Sequence, residues 1–170
     1  MKNYAKAIFY AYPFLENIGK EYDEHVRNRA VLSYRTDFSA ERVALYLAKE
    51  IVEKQTLEWV KGAVDAIMQA LDATERTFVA IRYFGKRRKI RRERVGGGAS
   101  ALSERTYFRK QSKLADKLGA MLAQRGIDEK FFQEELMQIE LFEKAYQYVC
   151  KGRDLHVRKN EREWIAFREF

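Results

Sequence analysis

Three consecutive stretches decide the fold: LDATERTFVAIRYF at 71–84, KRRKIRRER at 86–94 and LSERTYFRKQSKLADKL at 102–118. The first and third carry apolar residues at helical spacing, whereas the second is almost entirely basic. A run of three glycines at 96–98 lies between the second and the third and stops any helix there. The pattern predicts two helices joined by a basic connection, within a region that spans residues 71–125.

The positive charge of the chain is confined to this region. Residues 1–70 hold ten Lys and Arg and ten Asp and Glu, residues 71–125 hold fifteen and five, and residues 126–170 hold eight and ten. The net charges are therefore 0, +10 and −2, which sum to the +8 of the whole chain. A basic segment between near-neutral flanks is typical of a protein that binds a phosphate backbone. A solvated basic loop over 86–98 has the same composition, so that alternative stays open.

Composition predicts an all-α, multi-helix bundle. The chain has 170 residues, 46% of them hydrophobic, and a single proline, so long segments run without a helix breaker. The single cysteine, Cys150, excludes an internal disulfide and fits a reducing cytoplasm, where we expect the protein to act. No run of about eighteen apolar residues predicts a transmembrane helix, and no signal peptide is indicated.

Residues 1–70 are expected to form a helical scaffold and a candidate dimerisation region. A first helix over 3–12, capped by Asn3, is interrupted by Pro13, and a second helix covers 13–34. The aromatic stripe of the first helix predicts a core or a subunit interface; its members are Tyr4, Ile8 and Tyr12.

The third predicted helix covers 40–70. Asp37 and Ser39 are its candidate N-caps. The segment is either one long helix or two helices with a bend near Gln55 or Gly62. Such a helix suits a bundle or a coiled-coil-like dimer, so a homo-oligomer is expected.

Capping signals frame the two helices of the central region. Asp72 and Glu75 have the spacing of a capping box, and the helix that they start ends near Phe84. Ser103 is the expected cap of the second helix, at about 103–122. At a hundred degrees per residue, this helix has an apolar face and an opposite basic face, the layout of a recognition helix in the major groove. The apolar face comprises Tyr107, Leu114, Leu118, Met121 and Leu122.

The cations of the central region divide into two predicted roles. Arg105 and Arg109 are candidates for base readout because a guanidinium can grip guanine with two hydrogen bonds; an ordinary solvated helix face is the alternative. The remaining predicted DNA-binding residues include Ser103 and Thr106 as polar groups at the start of the helix. The others would hold phosphates, which position a protein without reading sequence; they are Lys86, Arg87, Arg88, Lys89, Arg91, Arg92, Arg94, Lys110 and Lys113.

The C-terminal region, 126–170, is expected to consist of a helix and a docking tail. Asp128 caps a helix predicted over 129–150, which has a strong apolar stripe and an acidic outer surface. The tail at 154–170 has several large apolar residues and should dock as a short helix or as an extended segment.

The central region resembles the helix-turn-helix of region 4 of bacterial sigma factors and of the related ArpU-type phage transcriptional regulators. The matching residues are Leu71, Glu75-Arg76 and Arg82-Tyr83-Phe84 in the first part, and Ser103-Glu-Arg-Thr106-Tyr107-Phe-Arg109 in the second. Between them the chain departs from the pattern, since only Ile90 matches well before the glycines at 96–98. The resemblance implies a DNA-binding regulator with double-stranded DNA as its partner and RNA polymerase as a candidate second partner.

Other classes of function receive less support from the residues. His25 and His156 lie outside any metal-binding spacing, Cys150 is most simply a buried core residue, and Gly96–Gly98 lacks the Gly-Lys-Ser/Thr of a P-loop. We therefore expect neither an enzyme nor a metal or cofactor site. The rivals are a helical protein-interaction adaptor whose basic loop contacts an acidic partner, and an RNA-binding protein that uses that loop.

Overall fold

The structure, a computed structural model, describes residues 2–32, 39–84 and 104–151. All regular elements in these ranges are helices, which confirms the all-α prediction. A 3₁₀ turn at Tyr12–Phe14 precedes the second helix, and another at Leu136–Gln138 precedes the last. In chain order the α-helices are α1 (Asn3–Ala11), α2 (Leu15–Leu32), α3 (Ala40–Ala70), α4 (Ala73–Tyr83), α5 (Glu104–Gln124), α6 (Glu129–Glu134) and α7 (Glu140–Cys150).

Helix α1 lies in the middle of the core. Tyr4, Ile8 and Phe9 are buried, and the helix packs on α7 while also contacting α4, α5 and α6. A helix of nine residues is marginal in water by itself, so this tertiary burial is what stabilises it. The aromatic stripe thus belongs to the core at Tyr4 and Ile8, while Tyr12 is half-buried and donates its hydroxyl to Asp65.

Two local predictions at the ends of α1 and α7 are wrong. Lys2, not Asn3, is the residue before α1, and no side chain caps the helix. The amide of Asn3 instead donates to Cys150 Sγ at 3.7 Å, and Cys150 is exposed rather than buried. Both differences arise because α1 packs along α7, a contact between distant parts of the chain that local sequence does not encode.

The long predicted helix over 40–70 is one continuous helix without a bend. Ser39 is its N-cap, and the Ser39 side chain accepts a hydrogen bond from the backbone amide of Arg42. Pro13 lies in the 3₁₀ turn that separates α1 from α2, which confirms the predicted interruption and places the start of α2 at Leu15. The other candidate cap, Asp37, and the predicted end of α2 at 33–34 lie outside the described residues.

Buried tyrosine hydroxyls fasten the first helices to α3. Tyr22 donates to Glu53 Oε2 at 2.6 Å, and Tyr12 donates to Asp65. Burial, followed by these bonds to carboxylates, raises the pKa of both tyrosines above the ordinary value of 10. The neutral phenol is therefore the form that the folded protein favours.

These tyrosines predict a loss of stability at alkaline pH. Their folded-state pKa values lie above the unfolded value, so their contribution is fully present below about pH 10 and is lost as pH rises from there through the folded-state values. We expect the free energy of unfolding, measured by urea titration, to fall steadily above that pH. The double variant Tyr12→Phe, Tyr22→Phe should fall less steeply, and an unchanged slope would contradict this assignment.

The predicted capping box of α4 is present. Asp72 Oδ1 accepts from the backbone amide of Glu75 at 2.7 Å, and Glu75 Oε2 accepts from the backbone amide of Asp72 at 3.2 Å. The other end of α4 is anchored by Tyr83, which is buried with ring centroids 5.6 Å from Phe9 and 5.1 Å from Tyr10. Helix α4 is therefore fixed to the core at both ends.

The single helix predicted over 129–150 is wrong, although its cap at Asp128 is confirmed. The chain breaks at 135–139, and the ring of Phe132 lies 5.4 Å from that of Tyr146. In one straight helix, fourteen residues at 1.5 Å each would hold these positions about 21 Å apart along the axis. The burial of Phe132 against α7 therefore outweighs the continuity of the helix.

Candidate nucleic-acid interface

Helix α5 has the two faces that its sequence predicts. Leu114, Leu118 and Leu122 are buried, whereas Arg109 and the cations that follow it are exposed. Arg109 is nine residues before Leu118, which places the two on opposite sides of the helix at a hundred degrees per residue. The helix is thus held by its leucine face and presents its basic face to solvent.

Three of the predicted DNA-binding residues form a compact cationic group on this face. Arg109 and Lys113 are one turn apart and Lys110 lies on the adjoining flank; we call them the α5 cation group. Within the described part of the chain, none of the three forms an ion pair or a side-chain hydrogen bond. Their charges are therefore available to an anionic partner.

The remaining predicted site residues are not placed in the same way. Arg105 and Thr106 belong to α5, on its first two turns, but their side chains lie outside the description. The rest of the predicted set lies outside the described residues; it comprises Lys86, Arg87, Arg88, Lys89, Arg91, Arg92, Arg94 and Ser103.

Helix α4 supports α5 through polar contacts that the sequence did not reveal. Lys117 Nζ lies 2.8 Å from both carboxylate oxygens of Glu75, and Arg82 donates to the side chain of Gln111. The pairs join the start of α4 to the middle of α5 and the end of α4 to an earlier turn of α5, so the two helices run antiparallel. Glu75 already has a local signal as a capping residue, but its ion pair spans 42 positions, for which no short-range pattern exists.

The far end of α5 is fixed by a helix-terminating turn. Gly126 has a φ of +81°, the left-handed conformation that glycine adopts without strain. The amide of Gly126 donates to Ala123 and that of Ile127 to Leu122, the bond pattern of a Schellman motif. Ile127 and Leu122 are both buried, so the turn is also packed into the core.

Two depressions occur on the described surface, and neither is lined by the α5 cation group. The larger, of about 450 Å³, lies beside Tyr4, Asp116 and Asp128. The smaller, of about 300 Å³, lies among α2, α3 and the start of α7, and Tyr22 and Glu50 line it. The described residues contain no group of three or more His, Cys, Asp or Glu side chains that could hold a metal ion, and no described helix is long and apolar enough to cross a membrane.

Glu50 is a buried carboxylate with little compensation. Its Oε2 has no hydrogen-bond partner among the described residues, and its nearest charged neighbour is His25, whose Nδ1 lies 3.9 Å from Oε1. Burying a charged group without partners costs free energy, so an apolar side chain of similar length should be better tolerated there.

We predict that Glu50→Met raises the free energy of unfolding by about 1–3 kcal/mol, because it removes the buried charge without leaving a cavity. Urea unfolding followed by circular dichroism measures the change. The matched variant is Glu53→Met, which removes the acceptor of the Tyr22 hydroxyl and should destabilise the protein. Destabilisation by Glu50→Met would contradict the prediction.

Comparisons with protein-family models, curated proteins and solved structures find no match for this chain. Its own residues therefore carry the functional inference.

Proposed function

We propose that the protein is a DNA-binding transcription regulator with a sigma region 4-like helix-turn-helix, in which α5 is the recognition helix. The observation that supports this most is the α5 cation group, exposed on the side of α5 opposite its buried leucines. The group lies in the region that carries a net +10, the whole positive excess of the chain. Double-stranded DNA is the partner, RNA polymerase is a candidate second partner, and the cytoplasm is the site of action.

The dimensions of α5 suit this role. An α-helix with its side chains is about 10–12 Å across, and the major groove of B-DNA is about 12 Å wide. The 21 residues of α5 exceed one helical turn of DNA in length, so its N-terminal half can enter the groove while its C-terminal half stays in the core. Leu118 and Leu122 on that second half remain packed during binding.

The cations then divide between reading and positioning. Arg109, together with Arg105 one turn earlier, is suited to the two acceptors of guanine in the major groove. Lys110 and Lys113 are suited to phosphates, where an ammonium acts as a point charge. The basic stretch at 86–94 adds further phosphate contacts in this proposal.

The α4 helix serves as the support of the reading helix. The ion pair between Lys117 and Glu75 and the bond between Arg82 and Gln111 lie at two levels along α5. Two such points restrain both the position and the tilt of α5. A recognition helix needs this restraint, because contacts to base edges are sensitive to small displacements.

Selection from a pool of random duplex DNA at near-physiological salt tests the proposal. We expect the purified full chain to enrich one sequence motif, because base contacts discriminate between sequences. Tight binding without a motif would favour a nonspecific or RNA-directed role of the basic stretch. Absence of binding would overturn the DNA proposal and favour the protein-interaction adaptor.

Replacing Arg105 and Arg109 with alanine should relax sequence preference, each costing roughly 1–3 kcal/mol at its own base position. Neutralising residues 87–92 should instead weaken binding to all duplexes alike, since phosphate contacts are the same in every sequence. Competition between the selected motif and a scrambled duplex measures both effects. If the two sets of variants behaved alike, this division of roles would be incorrect.

A further inference from the structure

Helix α3 has a second apolar face that nothing in the described part of the chain covers. Its buried residues, such as Leu57 and Val64, face the core, while Leu45, Val52 and Trp59 on the other side are 73%, 57% and 44% exposed. Isolated exposed apolar residues are common on protein surfaces. These three are spaced seven residues apart, so they lie on one line along the helix.

The positions between the large residues of this line hold smaller or polar ones. Ala48, Gln55 and Gly62 lie three residues after each large residue, and all three are exposed. The two sets occupy the a and d positions of a heptad repeat. We call these six residues the α3 seam: Leu45, Ala48, Val52, Gln55, Trp59 and Gly62.

We propose that the α3 seam binds the α3 seam of a second copy of this chain, with the two helices antiparallel about a two-fold axis. In antiparallel pairs of heptad helices, an a residue of one helix faces a d residue of the other. Leu45 then faces Gly62 of the second copy, Val52 faces Gln55, and Trp59 faces Ala48. Every layer fulfils the two-fold requirement that if residue i contacts residue j, then j contacts i.

Side-chain sizes favour this antiparallel pairing. Each layer puts one large side chain against a small or unbranched one, so the layers have similar width and can interdigitate. A parallel pair would instead alternate Trp59 against Trp59 with Gly62 against Gly62, which makes wide and narrow layers in turn. The space above Gly62 is open, since a Cβ built there meets no atom within 4 Å.

The groups beside the seam are compatible with the same pairing. The flanking positions bring Lys49 close to Thr56 of the second copy and Ile51 close to Glu58, so no like charges oppose each other. The indole of Trp59 is already held on one side by Phe131, at 4.9 Å between ring centroids. An aromatic group fixed in this way loses little conformational entropy on association, and tryptophan is enriched among residues that dominate interface energy.

Sedimentation equilibrium of the full chain at micromolar concentration tests the proposal. We expect a dimer of twice the 20.1 kDa chain mass. Ala48→Glu puts a carboxylate against Trp59 of the second copy in both symmetric layers, so it should weaken the dimer by about 100-fold or more. Ala123→Glu, at an exposed alanine of α5, makes the same change away from the seam and should leave the dimer intact.

Cross-linking tests the orientation. In a Cys150→Ser background, chains carrying Leu45→Cys should form disulfides with chains carrying Gly62→Cys. Leu45→Cys alone should not cross-link, because seventeen residues of helix put its two copies about 25 Å apart along the axis. Efficient cross-linking of Leu45→Cys with itself would overturn the antiparallel arrangement.

The remaining outcomes also decide the matter. A monomer at all concentrations, or a dimer that Ala48→Glu does not weaken, would overturn the proposal. Circular dichroism of Ala48→Glu should match that of Ala123→Glu, since both sites are exposed. The α3 seam lies apart from the α5 cation group, so a monomer that still selects a DNA motif would overturn only the dimer.

Discussion

Replacing Phe132 with alanine should destabilise the protein by about 3–5 kcal/mol, the range for removing a fully buried phenylalanine from a packed core. The side chain is completely buried, and its ring lies 6.0 Å from Tyr4, 6.3 Å from Phe142 and 5.4 Å from Tyr146. It therefore joins α1, α6 and α7 at one point. The loss is a large part of the 5–15 kcal/mol by which native domains are stable. Urea unfolding followed by circular dichroism measures it.

The adjacent residue provides the control. Phe131 is only partly buried and packs edge-on against Trp59. Phe131→Ala should therefore cost clearly less than Phe132→Ala, although both remove the same atoms from the same helix. Equal losses would contradict the orientation of α6 that places Phe132 inward.

Local signals were sufficient to predict most of the helical elements. The capping box at Asp72 and Glu75, the cap at Ser39 and the break at Pro13 each act within a few residues, and all three are confirmed. The buried and exposed faces of α5 also follow from spacing alone, since a helix at a hundred degrees per residue leaves one arrangement for Leu114, Leu118 and Arg109.

The wrong predictions share one physical origin. The break between α6 and α7, the exposure of Cys150 and the unused cap at Asn3 all depend on how the first and last described helices pack together. Contacts such as Asn3 with Cys150 join residues 147 positions apart, and periodicity within one helix contains no information about them. The support of α5 by Glu75 was missed for the same reason.

The candidate site was predicted in part. Spacing identified the α5 cation group, because exposure opposite a leucine stripe is a property of a single helix. It did not reveal that Lys117, on the same flank as Lys110, is engaged by Glu75. Similar cations on one helix thus differ in role, because only some of them face a partner from another helix.

Replacing Arg109, Lys110 and Lys113 together with glutamine should make DNA binding markedly less sensitive to salt. Each phosphate contact contributes about 0.9 to the slope of log affinity against log salt, so three lost contacts lower the slope by about 2.7. Between about 50 and 200 mM salt, the natural protein should then lose roughly 40-fold more affinity than the variant. Fluorescence anisotropy of a labelled duplex over this range measures both slopes.

The control variant keeps the charge change and moves it elsewhere. Lys20, Arg27 and Lys130 are exposed cations on α2 and α6, and their replacement with glutamine removes the same two lysines and one arginine as the α5 variant. Because these residues lie outside the proposed interface, the salt slope should stay near that of the natural protein. Equal slopes for the two triple variants would mean that net charge alone drives binding, and α5 would then have no special position on the DNA. A lower slope only for the α5 variant would mean that the basic face opposite Leu118 meets the phosphates.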